Sequence, residues 1–154
     1  MNPQATSPEM NKVVIGHLET LLADSYALMA QTHLAHWNVE GANFFGLHTA
    51  FQTQYEELFT AIDEIAERIR ALGGYAPGGL AMLDTMSEIG GMERKLDANG
   101  YLTHLAEYHR VLVDAAIKGR DAAGEAGDAE TEDLFIARLQ VHEKTLWMLR
   151  SAAM

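Results

Sequence analysis

The stretch "HLAHWNVEGANFFGLH", residues 33–48, places histidines on both sides of a glycine- and asparagine-bearing break. Before it, Val14, Leu18, Leu21, Leu22, Leu28 and Met29 fall near one face at helical spacing, which predicts a long helix over residues 11–38. After it, Leu58, Ile62, Ile65, Ile69 and Leu72 alternate steps of four and three, predicting a second helix over 44–72. Glu40–Asn43 is then the tip of a helical hairpin. His36 and His48 each stand six positions from a centre near Ala42, so the two imidazoles come level across it.

Working outward, Gly73 and Gly74 stop the second helix, and Pro77, Gly78 and Gly79 keep the chain irregular. Residues 80–86 are a candidate short helix within a crossover spanning 73–98. A further long helix begins near Asn99 with Leu102, Leu105, His109, Leu112 and Ala116, and fades in "AAGEAGD". The last begins at Asp128, an N-cap followed by Glu130, Glu132 and Asp133, whose charges suit a helix N-terminus. Its apolar positions are Leu134, Phe135, Leu139, Leu146 and Leu149. No period-two segment is long enough to predict a strand. The expectation is an all-α four-helix bundle over residues 11–152, with a long crossover between helices two and three. Residues 1–10, with two prolines, read as a short flexible tail.

The totals restrict the chemistry. With no cysteine, disulfides, thiolate metal sites and thiol catalysis are excluded; that suits a reducing cytoplasm. The start carries no secretory pattern, and no apolar run reads as long enough to span a bilayer, so no membrane partner is expected. Asp and Glu number 22 against 11 Lys and Arg, a net charge of −11 that attracts cations and repels phosphate backbones. No glutamate has a histidine three places on, so the Glu-x-x-His pair of larger di-iron bundles is missing. Phosphate loops, dinucleotide fingerprints and nucleophile elbows are missing too.

Two imidazoles alone make an incomplete site for a divalent metal. The carboxylates able to complete it are Asp63 and Glu67, at i and i+4 and therefore on one helix face. Asp63 lies 15 residues beyond His48 on the same predicted helix, roughly 22 Å away at the helical rise, so the four cannot hold one ion within a chain. Two copies remove the difficulty. With second helices antiparallel about a twofold axis near Tyr55 or Glu56, His48 of one copy comes level with Asp63 of the other, His36 and Glu67 close by. That mixed imidazole–carboxylate set resembles non-haem iron ligation with open positions.

"HWNVEGANFFGLH" followed by Asp63-x-x-x-Glu67-Arg68 resembles the signature of the Dps family, the mini-ferritins, and the likeness runs from the first helix to "TLWMLRS". The resemblance implies a ferritin-like bundle assembled as a dodecameric shell in the cytoplasm. It implies ferroxidase activity on Fe(II), usually with hydrogen peroxide, storage of ferric mineral and protection against oxidative stress. By the same resemblance the iron ligands are His36 and His48 from one subunit and Asp63 and Glu67 from its partner. Many relatives carry a carboxylate one turn after the second histidine, where this chain has Gln52, a weaker ligand for a second iron. One iron gives peroxide one electron, so a second iron or a nearby donor is required, and Trp37 beside His36 is a candidate for that catalytic role. The acidic residues Asp128, Glu130, Glu132 and Asp133 fall where the resembling shells have threefold pores, a candidate iron entry path.

Plainer readings accompany each residue. Trp37 reads more plainly as a buried aromatic; His33 is a core or surface histidine. His17 comes nearly level with Glu67, a rival partner for that carboxylate, and Asp63 and Glu67 could be a solvated pair bonded to Arg68 or Arg70. His104, His109 and His142 read as structural. The alternative function is a nucleoid protein that condenses DNA. Against it, the N-terminal segment offers only Lys12 and the C-terminus "RSAAM" carries a single arginine. Twelve copies would carry about −130, so weak or no DNA binding is expected.

Overall fold

A computed structural model describes residues 7–154. The helices are α1 (Pro8–Asn38), α2 (Phe44–Ala71), α3 (Leu80–Met86), α4 (Ala98–Ala126) and α5 (Ala129–Ala152). α1 packs against α2, α4 and α3, and α4 against α5. Two long hairpins are thus joined by a crossover that lays α3 on α1: the expected four-helix bundle with an extra short helix.

Local chemistry fixes the ends. α1 starts three residues before the expected Asn11, because Ser7 caps it, accepting from the Met10 N–H at 3.3 Å, with Pro8 in the first turn. Of the expected tail, residues 8–10 are therefore helical, and residues 1–6 lie outside the described ones. α2 closes on Gly73 at φ +90°, where the Gly74 N–H reaches Ile69 O at 3.0 Å, a geometry that favours glycine. α4 ends likewise on Gly127 at φ +71°. Asp128 then caps α5 as expected, accepting from Thr131 N–H, so a two-residue link reverses the chain.

The core takes Val14, Leu18, Leu21, Leu28, Leu58, Ile65, Ile69, Leu105, Leu112 and Phe135, all essentially without exposure. Gly119 lets α4 and α5 close together: a Cβ there would run into the Phe135 ring. α1 is long and apolar enough, by length and composition, to cross a membrane, which corrects the sequence expectation; half of its most apolar window is buried against the other helices. The crossover is fastened to the same helix. Asp24 Oδ1 accepts from the Ser87 hydroxyl and the Glu88 N–H, both at 2.8 Å, and Gln31 Oε1 accepts from Met92 N–H. Burial pushes the Asp24 carboxyl above its usual range, against the pull of those bonds.

α2 and α5 meet differently, through long polar side chains. Arg68 donates to Asp128 Oδ1 and Thr131 Oγ1, each at 2.7 Å. Arg138 grips both carboxylate oxygens of Glu57.

Candidate metal centre

His36 sits in the last turn of α1 and His48 in the second turn of α2. Their rings stack with centroids 3.7 Å apart and planes 17° from parallel. His36 Nδ1 bonds His48 O at 2.7 Å, and His48 Nδ1 bonds His36 O at 2.8 Å. A carbonyl only accepts, so each Nδ1 carries the proton and each Nε2 keeps its lone pair. The His36 carbonyl is one of the last four of α1 and has no helical donor, so His48 also caps that helix. The expected level pairing is present, and each imidazole is held in place by the backbone carbonyl of the other.

The surroundings are aromatic. Phe44 stacks on His48 at 5.0 Å and Tyr55 stands edge-on to His36 at 5.2 Å. Trp37 is no buried aromatic: it is 68% exposed and stacks at 5.3 Å on His33, which packs at 4.2 Å on Tyr55. Trp37 therefore reaches His36 through His33 and Tyr55. Partial burial, helped by His36, lowers the His33 pKa. Tyr55 carries no site role in the sequence reading. Its place one turn before Leu58 and Phe59, seven residues after His48, is the available signal.

Asp63 and Glu67 are exposed on α2, and α2 is one uninterrupted helix, so the rise of roughly 22 Å from His48 to Asp63 stands. Neither carboxylate forms an ion pair among the described residues. Arg68 is committed to Asp128, and Arg70 turns to Gly74 O and the Tyr75 ring, so the expected bonds from Arg68 or Arg70 do not form, while both carboxylates are solvated as that plainer reading has them. His17 lines a cleft with Glu88, Arg110 and Asp114, on the α4 side of α1, so the rival His17–Glu67 pair does not form. Beside Asp63 runs a groove of about 540 Å³ flanked by Tyr26, Met29 and Phe59, the last 70% exposed. Among the described residues no three His, Asp or Glu side chains gather closely enough to hold a metal. The histidine pair thus stands by the start of α2, and Asp63 and Glu67 stand towards its far end. Gln52 is engaged one turn on, donating to Glu56 Oε1 at 2.8 Å.

The ferritin-like domain model matches residues 15–153. The chain is 35% identical to DNA protection during starvation protein 2 of Bacillus anthracis, over 92% of its own length and 97% of that protein's. It is 38% identical to an uncharacterized low temperature-induced protein of Nostoc sp., over 93% of this chain and 81% of that one. Superposition on Dps from Staphylococcus aureus gives a TM-score of 0.89 at 30% identity, covering 92% and 95% of the two chains. The chain belongs to the Dps family. Dps from Vibrio cholerae O1, described as one of the ferritin-like diiron-carboxylate proteins, superposes over the whole of both chains with a TM-score of 0.92 at 27% identity. In this Dps protein the histidine pair and the distant acidic pair thus stand on a fold shared with these relatives.

Proposed function

We propose that this Dps protein is a ferroxidase and iron store: a shell, most simply a dodecamer, that takes Fe(II) as substrate, oxidises it with hydrogen peroxide and keeps the ferric product inside. The observation that carries the reading is the mutual Nδ1–carbonyl lock of His36 and His48, with both Nε2 atoms free of partners among the described residues. Such a pair lacks only carboxylates, and the unpaired Asp63 and Glu67 of a second copy supply them when two α2 helices run antiparallel. The apolar groove and exposed Phe59 beside Asp63 support that contact.

Fe(II) between imidazole and carboxylate donors meets anionic ligands that favour the ferric product, while open positions admit peroxide. Two Fe(II) and two protons reduce one peroxide to two waters. Where a site holds one iron, the second electron comes from Trp37 by way of His33 and Tyr55, the ring contacts that connect it to His36. Gln52 favours the one-iron case, being neutral and already bonded to Glu56. Removing Fe(II) and peroxide together protects against oxidative damage, in keeping with the starvation-protection names of the relatives. Asp128 is held by Arg68 and Thr131, so an acidic entry path would rest on Glu130, Glu132 and Asp133. Work in the cytoplasm is in keeping with a chain that has no cysteine.

The test is anaerobic Fe(II) loading followed by peroxide, with ferric absorbance and native mass recorded together. Fast oxidation in a large oligomer, lost in His36→Ala and His48→Ala at unchanged mass, is the expected result; an inert monomer removes the proposal. DNA condensation is disfavoured by the charge of −11, and a gel shift tighter than about 10⁻⁶ M at moderate salt would reverse that expectation.

A further inference from the structure

Phe45 stands in the first turn of α2 with 84% of its surface exposed, more than any other large apolar side chain of that helix. Its ring touches Phe44 edge-on at 5.3 Å, and Phe44 in turn stacks on His48. The lone subunit gives this ring little to pack on, although burying a phenyl ring is among the more favourable exchanges with water. The converse feature lies towards the far end of α2. The groove beside Asp63 has apolar walls, Tyr26 and Met29 of α1 and Phe59, Ile62 and Ala66 of α2, and no side chain of its own subunit fills it.

Within one chain the ring and the groove never meet. Phe45 and Ala66 are 21 residues apart on one uninterrupted helix, roughly 31 Å. Between two copies they do. The register that brings His48 level with Asp63 of the partner subunit also brings Phe45, three residues before His48, level with Ala66, three residues beyond Asp63. The facing agrees. Phe45 precedes Asp63 by 18 residues, about five turns, so both project from the face of α2 that this pairing turns to the partner. Ala66 is the smallest residue of the groove wall, so a large side chain meets a small one at that level. The register follows from the metal ligands alone, and neither the ring nor the groove enters it.

We propose that Phe45 of each subunit seats in the α1–α2 groove of its partner and is the apolar anchor of the contact on which the ferroxidase reading rests. Each subunit then both gives a ring and receives one, with one anchor beside each ligand set. The docked ring lies one turn from His48 and against the wall that carries Asp63 of the partner subunit. It closes that side of the iron site to water and, through Phe44, steadies the His48 ring. Such an anchor is needed because Glu56, Asp63 and Glu67 make the exposed face of α2 acidic in both copies, so charge does not draw empty subunits together.

The test keeps an aromatic ring in place. The assembled protein carrying Phe45→p-benzoylphenylalanine is expected, on irradiation, to give a product of twice the subunit mass, linked to the peptide of Met29 or of Ile62 and Ala66 in the partner. Glu56→Cys reports on the α2–α2 contact separately: it lies next to its own copy at the twofold axis, and with no other cysteine in the chain its oxidation joins two subunits there. Disulfide-linked dimers without a photolink to the groove overturn the proposal and leave the ferroxidase contact standing. Neither link overturns both. Phe45→Ala is expected to weaken assembly about tenfold or more on dilution, followed by mass photometry, at unchanged helical circular dichroism, and Phe45→Leu to keep most of it. Assembly unchanged in Phe45→Ala also overturns the proposal.

Discussion

Acidification is expected to weaken this bundle through its two buried histidines. Burial lowers the His109 pKa to about 3 from 6.5, with Arg138 adding to the effect, and it lowers His142 well below 6.5, helped by His109 and Arg138. In the unfolded chain both rings titrate near 6.5. Between there and pH 3 the unfolded state therefore binds protons that the native state refuses, and stability falls as the pH falls. Above pH 6.5 the effect vanishes, and below 3 it stops growing. The slope is about 1.4 kcal/mol per pH unit for one group, so at pH 5 His109 alone costs about 2 kcal/mol, and His142 acts in the same direction. Asp24 works the other way: its raised carboxyl is protonated first in the native state, which adds stability as the pH falls towards the unfolded value. The assay is thermal melting at fixed protein concentration, at pH 7 and pH 5, of the wild type and of the double variant His109→Leu/His142→Leu. Asp24 is common to both and cancels. The wild type should lose at least about 2 kcal/mol more than the variant, which for a chain of this size is a Tm difference of roughly 4–8 °C or more. Equal losses, or a larger loss in the variant, would refute the view that these rings are held neutral.

Three further outcomes are expected. Gly119→Ala drives a methyl group into the Phe135 ring and should cost about 1–3 kcal/mol in denaturant unfolding. Arg68→Ala removes the cation from the nearly buried Asp128, should cost about 2 kcal/mol after allowing for the partial exposure of Arg68, and should expose the α4–α5 link to protease. Gln52→Asp should raise the Fe(II) bound per ligand set, read by anaerobic calorimetry, and unchanged stoichiometry would show that the amide does not limit the site.

Much of the fold is legible because its signals are local. The 3.6-residue period marks α2, α4 and α5, the glycine pair ends α2, and Asp128 starts α5, each within a few neighbouring residues. The start of α1 differs from expectation although its signal is local too: Ser7–Pro8 is a cap followed by a first-turn proline, and the small polar residues around it mask it as tail. The level pairing of His36 and His48 follows from counting along a short hairpin. Their carbonyl bonds do not, since these depend on how closely the two helices approach. The network that ties His109 and His142, read only as structural residues, to Arg138 and Glu57 escapes the sequence reading for a different reason. Their contacts join three helices across separations of 33 to 81 residues, and no spacing rule reaches that far. One clue is present. Arg138 and His142 fall on the same stripe of α5 as Phe135, Leu139 and Leu149, and polar side chains on a core stripe must find one another.

The unbroken run of α2 makes it a ruler. Whatever the two ends of this helix do, the interval between them is set by a fixed number of peptide units, so one residue inserted between Thr49 and Ile62 would swing Asp63 and Glu67 by about 100° around the axis. Roughly seven would restore their facing yet set them about 10 Å too far along. This middle segment should therefore tolerate exchanges of side chain far better than changes of length.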